Sequence, residues 1–336
     1  MQALTVDPGI AHSARVEDVP EPSGDGVRVR VLEVGVCGTD REISEGHFGT
    51  GGGERLVMGH EMLGVVDEDG HGFSRGDLVS ATVRRSCGHC LACAEGSPDS
   101  CLTGDYVERG ITRLDGFARE VIVEDPGQVV AIPRTLGRLG VLAEPTSICA
   151  RAVRHTLAIG LRQPWAPRRA LVIGAGSVGL LTTLLLRQHG FDVTVVSLEE
   201  SSPIAEALGA TYAREADGEF DVVVEAAGNA QLVADALGRL GRSGVACLLG
   251  LDGREQKVEL EGRVLGIDTV LENRVLFGSV NAQRQDWEAG VAALARADRD
   301  VLSELVALRV PLDRFADAFA FHGGKATMVV ADDTLL

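Results

Sequence analysis

Lysine is nearly missing from this chain of 336 residues: only Lys257 and Lys325 occur, so almost all the positive charge is arginine. That usage points to a GC-rich genome or adaptation to salt more than to a function. Positive charge as a whole is also short. Thirty-two Lys and Arg against 49 Asp and Glu leave a net charge of −17, which argues against a surface built to neutralise phosphates of nucleic acid. Aromatic residues make up only 4%. Trp165 and Trp287 stand alone with no interleaved basic patch, so base stacking has no support. Long apolar runs are absent too. The longest uncharged stretch, residues 170–186, is flanked by Arg168, Arg169 and Arg187 and falls short of the roughly 20 residues a bilayer needs. Residues 1–21 lack the basic-then-apolar order of a secretory signal, which makes a reducing, cytoplasmic setting the expectation. What remains is ordinary globular composition, 45% apolar and 24% charged, with a length that suits about two domains.

The two halves of the chain read differently. Val27-Arg28-Val29-Arg30-Val31 alternates at period two, and Asp69-Gly70, Arg75-Gly76-Asp77 and Asp125-Pro126-Gly127 punctuate short strand-like runs over the first 150 residues. Near residue 150 the pattern changes. Helical spacing over 148–161 is followed by apolar strand candidates at 170–173, 193–196, 221–225, 245–249 and 275–280, with helices between them, the first over 177–189. Such alternation predicts a parallel sheet covered on both faces. From about Asp286 onward two or three amphipathic helices and a strand at 327–330 form a tail that could join either part.

Three groups of residues carry chemistry. Cys87, Cys90, Cys93 and Cys101 are four of the seven cysteines, packed into fifteen residues. Four thiolates at this spacing can wrap one Zn²⁺ tetrahedrally and leave no open position, so the site reads as structural. An iron–sulfur cluster or a redox pair is the alternative. Gly174-Ala175-Gly176-Ser177-Val178-Gly179 follows a predicted strand and opens a predicted helix, the context in which this pattern binds a dinucleotide diphosphate at a helix N-terminus. A glycine-rich packing turn is the alternative. About twenty residues on, Ser197-Leu198-Glu199-Glu200 places carboxylates where an adenosine ribose is held, which favours NAD over NADP. The third group is dispersed: Cys37-Gly38-Thr39-Asp40, Gly59-His60-Glu61 and Glu144-Pro145. Cysteine, histidine and glutamate make a plausible catalytic zinc shell with one position open to water or an alcohol, but sequence separation does not show proximity. Taken alone, Cys37 reads as a small buried hydrophobe and His60 as a structural histidine.

Together these motifs resemble the zinc-containing medium-chain dehydrogenase/reductase superfamily along the whole chain, in order. Arg84-Arg85-Ser86-Cys87-Gly88, Gly110-Ile111, Asp115-Gly116-Phe117, Leu142-Ala143-Glu144-Pro145 and the run from Asn273 to Gly278-Ser279-Val280-Asn281 narrow the likeness to its glucose dehydrogenase-like branch of archaeal-type sugar dehydrogenases. The resemblance implies an α/β two-domain fold. A GroES-like β-rich catalytic domain would take 1–150 and 282–336, with a structural zinc lobe at 84–104, and a Rossmann doubly wound parallel sheet would take 151–281. It also implies one catalytic zinc per chain on Cys37, His60 and Glu144, with Glu61 as neighbouring or alternate ligand, beside the structural one. Thr39 would bond the reacting hydroxyl and start a proton relay. Glu108 and Asn281 would touch sugar hydroxyls or the nicotinamide edge, and Gly228 joins Gly174, Gly176, Ser177, Val178, Gly179, Ser197, Glu199 and Asn281 among the cofactor positions. Assembly as a homodimer or homotetramer through the last Rossmann strand is part of the same expectation.

The implied reaction is hydride transfer between a secondary alcohol or hemiacetal of a sugar or polyol and NAD(P). Val83, Ile148 and Leu271 stand where sugar-contacting polar residues occur in well-known members, and unpaired hydroxyls beside them would bind poorly. A cyclitol, amino sugar or less polar alcohol is therefore the runner-up substrate, and a non-enzymatic dinucleotide-binding module is the reading from another class. Cys149 and Cys247 read as packing residues. The seven histidines other than His60 read as structural or solvent-facing, with His47 opening a glycine-rich stretch to Gly53 that could border a substrate mouth.

Overall fold

A computed structural model describes residues 1–47, 55–251 and 257–331. The glycine-rich stretch after His47 therefore lies outside the described residues, as does the end of the tail from 332. The chain divides into two compact units, Met1–Ser147 with Asn281–Leu336, and Ile148–Val280. Those divisions fall at 147/148 and 280/281, against expected boundaries of 150/151 and 281/282.

The first unit is built on the strand Val27–Gly35. Its first half alternates between buried valines and half-buried arginines, as the period-two pattern requires; its second half is buried throughout. The change follows from pairing. Glu61–Val66 runs antiparallel along one side of the strand, with a bulge between Val31 and Glu33. The other side is shared by Val121–Glu124 against Val27–Arg30 and Ala326–Val329 against Glu33–Gly35. The tail strand thus returns to the N-terminal unit, where Leu308–Pro311 adds parallel to it and completes a seven-stranded sheet with Leu78–Ala81 and Val129–Ala131. Leu4, Val29, Val31, Met58, Met62, Phe117, Ile122 and Met328 form one core beneath these strands, each such side chain adding about 1.5–3 kcal/mol by leaving water.

In the second unit six parallel strands run in the order Thr211–Ala213, Asp192–Val196, Arg169–Ile173, Phe220–Glu225, Leu240–Leu248, Val275–Gly278. Numbered along the chain this is 3-2-1-4-5-6, the doubly wound order whose ligand crevice opens at the reversal beside the first strand. Five of the strands lie within two residues of their sequence positions, except that Leu240–Leu248 begins five residues early; the sixth, the edge strand Thr211–Ala213, is not among the sequence candidates. The helix Ala143–Gly160 also starts five residues before the predicted 148. Pro145 falls in the first turn, where its missing N–H costs nothing, so the helix can begin upstream of it. Among the described residues no helix is long and apolar enough to cross a membrane.

Candidate active site

Three neighbouring strands of the first unit converge on one buried polar cluster. Cys37 follows the strand Val27–Gly35 and caps the helix Gly38–Ser44; its N–H donates to Asp40 Oδ2 at 2.8 Å. His60 precedes the strand Glu61–Val66, and Gly59, at φ +84°, makes the turn that aims it inward; a Cβ there would lie 2.7 Å from Val34 Cγ1. Ligand atoms of Cys37, His60 and Glu61 all lie within 4.8 Å of one another. The structure therefore brings together three of the four residues expected around the catalytic zinc, with Glu61 as the carboxylate of that close set.

Glu144, in the first turn of its helix, is buried within electrostatic reach of His60, Glu61, Lys325 and Asp40 but is not among that close set. Burial pushes its carboxyl up to about 8; the Glu61 and Asp40 charges add to the rise, while His60 and Lys325 oppose it. Asp40 Oδ1 faces His60 Nδ1 at 3.4 Å, and among the described residues neither atom has a hydrogen-bond partner. Burial disfavours the imidazolium, yet the Asp40 carboxylate and Cys37 hold the His60 pKa well above its ordinary value. A carboxylate behind a ligating histidine is the usual orienting arrangement at a metal. Buried carboxylates, a thiol and an imidazole carrying these conflicts are what a divalent cation resolves, so the residues fit catalytic zinc.

Lys325 is the residue that sequence reasoning missed. It immediately precedes the tail strand, is buried, and its Nζ donates to both carboxylate oxygens of Glu61 at 2.7 Å and to the Val36 carbonyl at 3.2 Å. One signal was available: a chain with two lysines keeps one of them in its core. Gly35 completes the arrangement, because a Cβ there would sit 2.0 Å from Glu61 Oε2. Thr39 Oγ1 accepts from Cys37 Sγ at 3.9 Å and is half-buried, between the cluster and solvent.

Glu108 and Asn281 meet each other. Asn281 Nδ2 donates to Glu108 Oε1 at 3.3 Å, and Arg84 Nε donates to the same oxygen at 3.0 Å while its guanidinium stacks on Tyr106. Asn281 adopts φ +64° and accepts the Ala282 N–H through its own side chain, so its orientation is fixed. Val83 is buried, Ile148 half-buried and Leu271 exposed.

Cys87, Cys90, Cys93 and Cys101 also form a close set, with sulfurs of Cys90 and Cys93 3.4 Å apart and those of Cys87 and Cys93 3.8 Å apart, and no disulfide. Hydrogen bonding, led by the Thr103 hydroxyl, takes Cys87 down to about 5; burial and the adjacent sulfurs push Cys93 up to about 12. Four thiolates cannot share this space without a cation, so the lobe fits structural zinc.

In the second unit the glycine turn has the expected division of labour. Gly174 takes φ +107° after the first strand; a Cβ on Gly179 would lie 1.9 Å from the Gly174 carbonyl oxygen; one on Gly176, which caps the helix Ser177–Gln188, would meet nothing. Gly176 thus leaves room where a diphosphate approaches the backbone. Gly228, at φ +74°, donates its N–H to Glu225 Oε1 at 2.9 Å, and a Cβ there would lie 2.7 Å from the Leu251 carbonyl. Beyond the second strand the Ser197 hydroxyl donates to Glu199, which lowers that carboxyl's pKa, and the Tyr212 hydroxyl donates to the Glu199 carbonyl at 2.6 Å.

Residues 23–134 match the alcohol dehydrogenase GroES-like domain family, and residues 137–331 match the glucose dehydrogenase C-terminus family. The chain belongs to the glucose dehydrogenase-like branch of the zinc-containing medium-chain dehydrogenases. It is 38% identical to a glucose 1-dehydrogenase of Methanocella arvoryzae over 93% of this chain and 94% of that one. It is also 38% identical to a glucose 1-dehydrogenase of Thermoproteus tenax over 99% and 100%. Among solved structures, Haloferax mediterranei glucose dehydrogenase in complex with NADP, Zn and gluconolactone superposes with a TM-score of 0.89 at 31% identity, covering 99% of this chain and all of that one. The two-domain GroES-like and Rossmann architecture is thus that of the family.

Proposed function

We propose that the protein is a zinc-dependent NAD(P) dehydrogenase that oxidises the hemiacetal or a secondary alcohol of a sugar. The observation that carries this reading is the convergence of Cys37, His60 and Glu61 in a buried pocket of polar groups that a cation would satisfy. The glucose 1-dehydrogenase relatives point to an aldose oxidised at C1. Zinc, when bound, would act as a Lewis acid that lowers the pKa of the substrate hydroxyl. Cys37 and His60 would hold the ion, Asp40 would orient His60, and Glu61 and Glu144 would supply the carboxylate ligand. Thr39 would accept the hydroxyl proton and hand it outward. Glu108 and Asn281, fixed against each other and Arg84, would receive sugar hydroxyls or the nicotinamide edge. Replacing Cys37 or His60 by alanine should abolish turnover while NADH binding, followed by fluorescence, persists; undiminished turnover would refute the zinc mechanism. A reduction screen over aldoses, inositols and simple secondary alcohols ranks substrates, and activity confined to apolar alcohols would favour the reading motivated by Val83, Ile148 and Leu271.

NAD is the cofactor we favour, because the Glu199 carboxylate at the end of the second strand would accept a ribose hydroxyl and repel a 2′-phosphate. The Haloferax relative holds NADP, and Arg214 lies close enough to Tyr212 to act on its hydroxyl, which brings one positive charge to the same corner. Glu199→Gln should therefore lower the KM for NADP at least about tenfold relative to that for NAD, a shift of about 1.4 kcal/mol; an unchanged ratio would remove Glu199 from cofactor choice. Among the described residues the strand Val275–Gly278 pairs only with Leu240–Leu248, and Leu276 on it and Val280 just beyond it are exposed, which supports assembly as a dimer or tetramer along it. None of the seven cysteines is in a disulfide, which suits a reducing cytoplasm.

A further inference from the structure

Three segments of the first unit meet at Arg84. It stands directly opposite Glu108, where the short strand Arg84–Arg85 runs antiparallel to Val107–Arg109. Its Nε donates to Glu108 Oε1, the oxygen that also accepts from Asn281 Nδ2. Among the described residues both donors use that one oxygen, so Oε2 is left to accept a sugar hydroxyl. The other end of the guanidinium points elsewhere. Its Nη1 donates to the Asp99 carbonyl, and its face lies 3.9 Å from the centre of the Tyr106 ring.

Asp99 belongs to the four-cysteine lobe, in the turn Pro98–Ser100 that leads into Cys101. The turn is closed by the Ser100 N–H on the Ser97 carbonyl at 3.0 Å and the Cys101 N–H on the Pro98 carbonyl at 3.2 Å. Two further bonds hold it to the same neighbourhood. The Ser86 hydroxyl donates to the Pro98 carbonyl, and Gln283 Nε2, two residues beyond Asn281, donates to Ser97 Oγ at 3.1 Å. Whatever fixes Cys101 therefore also fixes the Asp99 carbonyl. A guanidinium is a rigid planar fork, so its two ends cannot move independently. A shift of the Asp99 carbonyl turns the end that holds Glu108. The side chains of Arg84 and Glu108 are only 10% and 14% exposed, so water does not readily replace a lost partner.

We propose that Arg84 is a positioning residue for sugar recognition, through which the four-cysteine lobe sets the orientation of Glu108 and Asn281. This rests on the reading of Glu108 as a sugar contact and extends it. The lobe would govern affinity for the sugar and leave the hydride-transfer step alone. Coupling between two sites is reciprocal, so a sugar held by Glu108 would in turn tighten the lobe.

The test uses the zinc-loaded enzyme with D-glucose. Glu108→Gln should raise the KM for D-glucose at least about tenfold, the effect of losing one charged hydrogen bond. Arg84→Gln should do the same, with kcat kept within about threefold and the KM for NAD unchanged. The two losses should not add in the double variant, because Arg84 acts through Glu108. Arg84→Lys keeps the charge but gives up the fork, and it is the variant to read if Arg84→Gln folds poorly; it should retain most of the defect. Hydrogen exchange supplies a readout apart from turnover. With NADH in place of NAD, so that the sugar is not oxidised, saturating D-glucose should slow exchange over 97–101 in the parent enzyme and leave it unchanged in Arg84→Gln. An unchanged KM in Glu108→Gln would remove the sugar-contact reading and this proposal with it. A raised KM in Glu108→Gln alone, with folded Arg84→Gln or Arg84→Lys like the parent, would keep that reading and overturn the proposal. Additive losses, or exchange over 97–101 that ignores the sugar in the parent enzyme, would overturn it as well.

Discussion

Lys325 and Glu61 are each almost fully buried and hold one another at 2.7 Å, so neither can lose its partner without leaving a bare charge in the core. Breaking such a pair from one side costs about 3–5 kcal/mol, whereas removing both charges costs far less. Lys325→Met should lower the urea-unfolding free energy of the zinc-free protein by about that amount. Lys325→Met combined with Glu61→Gln should recover more than half of it; purely additive losses would mean that the pair does not couple. Gly35 permits a subtler probe of the same carboxylate. A Cβ there falls 2.0 Å from Glu61 Oε2 and 3.0 Å from Glu61 Cβ, so Gly35→Ala must displace the Glu61 carboxylate without deleting any polar group. Zinc affinity, measured by competition with a chromogenic chelator, should weaken by about 10–100-fold, the usual effect of disturbing groups around metal ligands. None of this was legible as proximity in the sequence. Residues 37, 60, 61 and 325 become neighbours only because the strands they flank lie side by side, and that adjacency includes a tail strand from the far end of the chain.

Whole elements were easier to read, for a physical reason. Parallel strands buried on both faces must be apolar almost throughout, so Ala170-Leu171-Val172-Ile173 and Val222-Val223-Val224 announce themselves without a partner. The glycine turn is local in part: Gly179 answers the Gly174 carbonyl within the same strand–turn–helix unit, whereas a Cβ on Gly174 would meet the backbone of Ala226 and Ala227 from another segment. The helix carrying Glu144 starts upstream of the 148–161 spacing, because Pro145 in its first turn is harmless there. The same local geometry separates two nearby substitutions. Gly179→Ala puts a Cβ 1.9 Å from the Gly174 carbonyl, backbone that cannot yield cheaply, so it should lower both the melting temperature and NADH affinity. Gly176→Ala meets no protein atom, so the melting temperature of the cofactor-free protein should stay within a degree or two while NADH affinity falls at least about tenfold, as the new methyl enters the diphosphate's approach. Equal effects of the two on stability would contradict this division of roles.

At the scale of the whole molecule the shortage of lysine returns as a charge imbalance. Forty-nine carboxylates face 32 Lys and Arg, and the surplus behind the net charge of −17 repels itself within each unit. Many ion pairs offset part of that, but pairs such as Arg15–Asp7, with side chains 36% exposed on both sides, contribute at most about 1 kcal/mol in water. The well-buried pairs, Lys325–Glu61 and Arg109–Glu124, are poorly reached by salt. Added salt therefore weakens attractions that were already small and keeps those that matter, while it screens the long-range repulsion of the surplus carboxylates. The Debye length falls from about 30 Å at 0.01 M to about 3 Å at 1 M, so the repulsion between exposed charges is largely gone at the higher concentration. The melting temperature should rise steadily from 0.01 M to about 1 M KCl, by several degrees if the relief amounts to about 1–2 kcal/mol for a chain of this size. The rise should be the same with NaCl and KCl, because screening does not distinguish the cations. A melting temperature that falls with salt would show that the exposed pairs outweigh the net repulsion, and a response to only one cation would point to specific binding instead.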